Sequence, residues 1–390
     1  MSKRLTVGLL AGEASGDNLG AGLMTAMRAE LAPDFEIDFV GVGGARMIDA
    51  GLDCLFPIEK LSVNGFRDPI LKLPTLIKAL KSVGDEMLKR SVDLFIGVDF
   101  NVFNFLLEGR LKKRGLRTAH YVSPSVYAWR RGRTKRVAKV ADVILCLFPF
   151  EPPFYEKTSV QAVFVGHPLA DEISLTSGDS SSRAEARKKL GLTTTNTVVA
   201  VLPGSRTGEL KLMLPPFLEA ATIVAKQDPK VEFLIPYPRE TLKPILETSL
   251  AEFSQLSVKL VPGGARTVLQ ASDVALVKSG TSTLEAMLLH RPMVVSYRMG
   301  KISYQLAKRL MRSPYVALPN ILLDEMYVPE LLQHEGTPEK LAHALLNELQ
   351  SARQDPDYFL AFERLHKHLR RRADVTAARA VIRLLGVGSS

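Results

Sequence analysis

Leu5–Asp17 reads LTVGLLAGEASGD, and its two halves follow different rules. From Leu5 to Ala11 every residue but Thr6 is apolar or glycine, without polar alternation, which suits a strand buried on both faces of a parallel sheet. The run stops after seven residues at Gly12 and Glu13, too soon for a secretory core, and no small-residue cleavage site follows. Gly12 and Gly16 then allow close backbone approach, and a helix opening there would present free N–H groups and the positive end of its dipole. Strand, tight turn, helix is one unit of a parallel sheet covered by helices.

Working outward, the same unit recurs. Further strands are read at Asp38–Val42, Leu94–Val98, Thr118–Val122, Val143–Leu147 and Ala162–Val165. A second series runs Val198–Leu202, Val231–Ile235, Val258–Val261, Val274–Val277 and Met293–Ser296. At 390 residues the chain is too long for one ordinary core. The fold class expected is therefore α/β, with two Rossmann-like doubly wound domains. The Ser-rich stretch within Ala170–Arg183 marks the linker, dividing a domain at 1–168 from one at 169–345. Helices at 346–390 are expected to cross back to the first domain or to a partner subunit of a homodimer.

Lys plus Arg number 51 against 41 Asp plus Glu, a formal charge of +10. The surplus is clustered in Arg110–Arg117, in Arg130–Lys139 and in His366–Arg372. Such patches suit anionic lipid headgroups, phosphorylated substrates or nucleic acid, and equally a solvated helix face. No apolar stretch reaches the ~20 residues needed to span a bilayer. Cys54 and Cys146 stand without CxxC or metal-ligand neighbours, which argues against a disulfide framework and structural zinc.

Ligands of open parallel sheets bind at the carboxyl ends of strands, so the loops there carry the candidate chemistry. Gly12–Asp17 is not GxGxxG, and GxxxxGK[ST] is absent, so no dinucleotide cofactor and no P-loop is expected. Glu13 and Asp17 are either site residues or helix caps. Asp99, at the end of LFIGV and beside Phe100, Val102, Phe103 and Phe105, would be partly desolvated and suited to accept a proton, or else caps the next helix. Trp129 followed by Arg130 suits a sugar ring and its phosphate, or a core plug. Gly204, Ser205 and Arg206 follow a strand, with Pro215 read at the start of the next helical run, and arginine can hold a diphosphate through paired donors. Ser279, Gly280 and Thr281 open a helix as a phosphate cradle, with Glu285 one turn inside to grip ribose hydroxyls.

GEASGD (Gly12–Asp17), GVGGARM (Gly41–Met47), VSPSVYAWR (Val122–Arg130), FVGHPLAD (Phe164–Asp171), LPGSR (Leu202–Arg206), SGTSTLE (Ser279–Glu285) and LPNILL (Leu318–Leu323) occur in order along most of the chain. Together they resemble the lipid-A-disaccharide synthase family. That resemblance implies a GT-B glycosyltransferase joining UDP-2,3-diacylglucosamine to 2,3-diacylglucosamine 1-phosphate (lipid X) through a β-1,6 bond, with release of UDP and no metal or other cofactor. By it, Asp99 and Glu13 are catalytic. Gly204, Ser205, Arg206, Ser279, Gly280, Thr281, Glu285 and Asn320 surround UDP, and Ser15, Ser123, Tyr127, Trp129 and Arg130 meet the acceptor. It further implies a cytoplasmic protein held peripherally at the anionic inner membrane face, with no nucleic-acid partner. Phe56–Leu80 mixes Leu, Ile, Phe and Pro with lysines, which suits an interfacial or acyl-binding surface, or equally a loop and helix covering the sheet. The rival readings are a UDP-sugar epimerase of the same architecture and a non-enzymatic nucleic-acid binder.

Overall fold

The computed structural model describes residues 3–57, 73–124, 132–193, 195–300, 304–305, 309, 311 and 313–387. The chain forms two compact units, Met1–Asp171 with Leu369–Ser390, and Glu172–His368.

In the first unit seven strands form one sheet in the order β3-β2-β1-β4-β5-β6-β7. They are β1 Lys3–Ala11, β2 Phe35–Val42, β3 Leu52–Cys54, β4 Leu94–Val98, β5 Arg117–Tyr121, β6 Val143–Cys146 and β7 Gln161–Phe164. All pairings are parallel, with Leu9 opposite Gly41 on one side and Ile96 on the other. The unbroken apolar runs have the predicted cause: Leu94–Val98 is buried along its whole length. Strand order reverses between β1 and β4, so the loops after these two strands, at Gly12 and Asp99, diverge around a crevice.

The second sheet has six strands in the order β10-β9-β8-β11-β12-β13, namely β8 Val198–Leu202, β9 Glu232–Tyr237, β10 Val258–Pro262, β11 Val274–Lys278, β12 Met293–Tyr297 and β13 Glu330–Leu332. It too is parallel throughout. Its switch point lies between β8 and β11, after which come Pro203–Arg206 and Ser279–Thr281. The helix after β8 differs from expectation. It starts at Thr207 and runs to Gln227 with Pro215 and Pro216 in its interior. Leu210, Met213, Leu214, Phe217, Leu218 and Ala221 keep helical spacing across the prolines and are buried, and that burial outweighs two missing amide donors.

The chain's last helix, Ala373–Leu385, packs on helix Ala14–Leu31 of the first unit, burying Ala377, Ala378, Val381 and Ile382 in the core beneath β1. Asp171 caps it, accepting from the amides of Arg372 at 2.9 Å and Ala373 at 2.6 Å. Arg379 ties it to Glu30 at 2.6 Å. Among the described residues no helix is long and apolar enough to cross a membrane.

Candidate active site

At the first switch point the structure separates residues that the sequence leaves equivalent. Asp17 is spent on the fold, its carboxylate accepting from the amides of Gly44, Arg46 and Met47 at 2.7–3.1 Å and so capping helix Ala45–Asp49. Glu13 precedes helix Ala14–Leu31 but makes no side-chain cap, and its exposed carboxylate faces a cavity of about 640 Å³ shared with Asp99.

Asp99 is not a cap either, since Phe100 occupies that position before helix Asn101–Lys112. Asp99 and Phe100 both adopt left-handed backbone, at φ 50° and 47°. For residues with a Cβ such conformations cost roughly 1–3 kcal/mol each and persist only where surroundings impose them. Here buried Asn104 imposes them. Its side-chain amide lies 2.7 Å from the Asp99 carbonyl and 3.2 Å from that of Leu10, clamping the ends of β4 and β1 together. Ser15 donates its hydroxyl to the Asp99 carboxylate at 3.5 Å. The Phe100 ring lies over Gly12, where a Cβ would sit 2.3 Å from it, so glycine is needed for that approach.

Beneath this loop lies a polar set that sequence reasoning missed. His120, at the end of β5, places Nδ1 2.6 Å from Glu108 Oε1 and Nε2 3.1 Å from Asn101 Oδ1. Both His120 and Glu108 are fully buried. Burial pushes the Glu108 carboxyl up, with His120 opposing. The set holds Asn101 through its side-chain oxygen, and Asn101 lines the same cavity as Asp99. Glu108 and His120 stand twelve residues apart on different elements, so no spacing rule links them. Ser123 is buried and shares a hydrogen bond of 2.8 Å with the Tyr155 hydroxyl. Tyr127, Trp129, Arg130 and most of Phe56–Leu80 lie outside the described residues.

At the second switch point Gly204 has φ +123°, and a Cβ there would meet the Glu209 carboxylate at 2.5 Å. Glu209 organises the crevice. It accepts from the Ser205 amide at 3.0 Å and from Lys278 Nζ at 3.1 Å, and stands 3.7 Å from Arg206. Burial disfavours its charge, but Lys278, the Ser205 amide and Arg206 prevail and hold its carboxyl below the usual range. Lys278 also lies over the Tyr297 ring, 5.0 Å from its centre. Glu209, not foreseen from sequence, and Lys278 bind the two loops together, leaving Ser205, Arg206, Gly280 and Thr281 exposed. Ser279 donates its hydroxyl to the Val316 carbonyl at 2.9 Å. Glu285 is partly buried, its carboxyl raised by burial with Arg266 opposing. Asn320 is committed elsewhere: fully buried, it donates to Val328 and Glu330 and accepts from the amides of Tyr327 and Val328. Its carboxamide has no donor or acceptor left for a nucleotide and instead shapes the approach to β13. Among the described residues no group of three or more His, Cys, Asp or Glu is placed to hold a metal ion.

Both crevices therefore combine exposed hydroxyls, amides and charges with rigid strand ends. A family profile described as lipid-A-disaccharide synthetase matches residues 7–381. The chain belongs to the lipid-A-disaccharide synthase family. It is 44% identical over 379 residues to the lipid-A-disaccharide synthase of Alcanivorax borkumensis, covering 97% of each chain, and 42% identical to that of Methylobacillus flagellatus, covering 97% and 98%. Among solved structures it resembles MurG of Acinetobacter baumannii (TM-score 0.53, 14% identity, 98% and 99% covered). It also resembles the UDP-GlcNAc 2-epimerase of Neisseria meningitidis bound to UDP-GlcNAc (TM-score 0.60, 11% identity, 98% and 99% covered). At such identities these two show the fold, and the GT-B architecture expected from sequence is the one observed. The chain is thus a glycosyltransferase of the lipid-A-disaccharide synthase family. The epimerase and nucleic-acid-binding alternatives are not favoured.

Proposed function

We propose that Asp99 is the general base of a single inverting displacement, which transfers 2,3-diacylglucosamine from UDP to the 6-hydroxyl of 2,3-diacylglucosamine 1-phosphate. The acceptor oxygen bonds to the anomeric carbon as the bond to the diphosphate breaks. The hydroxyl proton passes to Asp99, and the electron pair leaves with UDP. The observation that carries this reading is a carboxylate at a switch point, held by strained backbone, that neither caps a helix nor pairs with a cation among the described residues.

Asn101 orients the acceptor, and Glu13 lies beside it. In the second unit Arg206 and Lys278, with the amides opening helix Thr281–Leu288, stabilise the charge that develops on UDP, and Glu285 meets the ribose. The leaving group's charge is met by these groups rather than by a metal ion, so turnover should survive chelation. The acylated substrates place the enzyme at the cytoplasmic face of the inner membrane, as a peripheral protein.

The test is to supply the purified protein with both diacylated precursors and to measure UDP and disaccharide. Asp99→Ala should lower turnover by ~10²–10⁴ while donor affinity stays close to wild type. Near-normal turnover in that variant would remove Asp99 from the mechanism. Interconversion of one sugar nucleotide without an acceptor would replace the whole reading with epimerase chemistry.

A further inference from the structure

The cavity beside Asp99 has one chemically odd wall. Helix Asn101–Lys112 buries Phe103, Leu107 and Leu111, yet Val102 and Leu106, one turn apart, point outward at 74% and 51% exposure. Ile77 faces the same cavity at 57%. Seven large apolar side chains are this exposed among the described residues, and three of them line this one cavity. An apolar ridge at one site, rather than scattered residues, marks a surface that something covers.

The remaining walls say what covers it. Asp99, Glu13 and Asn101 contribute polar and acidic groups to the lining, while Arg133 and Arg136, on helix Gly132–Val140, contribute cations. A bilayer surface rich in anionic lipid suits the arginines and the ridge, but it would press headgroups against the two carboxylates. A single molecule carrying a sugar hydroxyl, apolar chains and a phosphate suits all three kinds of group.

Resting on the function proposed above, we infer that this cavity is the acceptor's lipid site. One acyl chain lies along Val102, Leu106 and Ile77, the sugar meets Asn101 and Asp99, and the 1-phosphate pairs with Arg133 and Arg136. The outward turn of helix Asn101–Lys112 thereby sets acyl-chain preference, a property separate from the base chemistry of Asp99.

The test uses acceptors of one sugar phosphate with progressively shorter chains, together with a phosphate-free analogue. Binding by calorimetry and kcat/KM are both measured. For wild type, each methylene lost from the occupied length should weaken binding by about fourfold. In the double variant Val102→Ser, Leu106→Ser that dependence should flatten, while the donor KM stays unchanged. Arg133→Ala with Arg136→Ala should abolish the preference for the phosphorylated acceptor without altering the chain-length slope. A slope kept intact in the serine variant, or a phosphate preference kept in the arginine variant, overturns the assignment and places the lipid elsewhere. Because both substituted ridge positions are exposed, loss of folding is not expected, and a thermal melt matching wild type verifies it. Chain-dependent acceptor binding with no UDP released would refute the proposed reaction while leaving this site standing.

Discussion

Gly97, inside β4, shows how tightly single residues set the candidate base. A Cβ there would lie 2.1 Å from Glu108 Oε1 and 2.8 Å from the Asn104 Cβ, so even alanine displaces the two buried groups that hold Asn101 and the Asp99 backbone. Gly97→Ala should cost about 1–3 kcal/mol in urea unfolding and reduce turnover more than it alters donor affinity. Unchanged stability would mean that the Glu108–His120 pair can shift at little cost. Glu151 offers a second residue-scale test. Buried beside the Phe148 and Leu147 amides, its carboxyl is pushed up to about 8 by burial, against an ordinary 4.5. A carboxyl raised on folding holds its proton longer in the native state. The stability it contributes is present below pH 4.5 and is lost as pH climbs through about 8. His167 acts in the opposite sense, since burial pushes it down to about 4, so its share of stability is lost as pH falls from 6.5 toward 4. Glu151→Gln keeps an acceptor for the amides and should flatten the fall in melting temperature between pH 5 and 8, leaving the acid side alone.

At the scale of elements, legibility follows length and burial. Strands β4, β8 and β11, and β1 from Leu5 onward, are runs of five or more residues with almost no polar interruption, and burial on both faces writes that pattern directly into composition. The edge strands Leu52–Cys54 and Glu330–Leu332 escape sequence reading because three residues, only partly buried, leave no period to detect. The candidate site divides in the same way. Loops that follow strong strands are visible, and so are their Gly, Ser, Asp and Arg residues. The clamps within them are not: Lys278 reaches Glu209 across 69 positions and Asn104 reaches Leu10 across 94, contacts that only strand order creates. Asn320 shows the converse, a motif residue whose side-chain amide is satisfied within the fold, which its identity alone does not reveal. The terminal helix supplies this scale's prediction. Asp171 satisfies two amides at its start, so Asp171→Ala should cost about 1 kcal/mol, and Ile382→Ala, which empties core space beneath β1, about 2–4 kcal/mol. The two should add in denaturant titrations, being separated by most of the helix. A helix that merely rests on the surface would show neither loss.

For the whole molecule the surplus of +10 matters through where it is free to act. The Arg110–Arg117 cluster is partly neutralised by the fold itself. Arg110 pairs with Asp85 at 2.5 Å, Lys112 with Asp142 at 2.7 Å, and Arg117 donates to the Leu384 carbonyl at 2.7 Å. On helix Gly132–Val140, by contrast, Arg133, Lys135, Arg136 and Lys139 are all exposed, with no ion pair among the described residues. The peripheral attachment proposed above requires an attraction strong enough to hold the protein at a membrane and weak enough to release it. Each exposed lysine near an anionic surface supplies about 1 kcal/mol, within a screening length of about 10 Å at 0.1 M salt that shrinks to about 3 Å at 1 M. Sedimentation with anionic vesicles should therefore fall steeply over that salt range and be negligible with neutral vesicles. Reversing two of these charges, Lys135→Glu with Lys139→Glu, should weaken binding at low salt by at least about tenfold while sparing the reaction on detergent-dispersed substrates. Binding that persists at 1 M salt, or that survives the double reversal, would shift the attachment from this basic helix to apolar insertion.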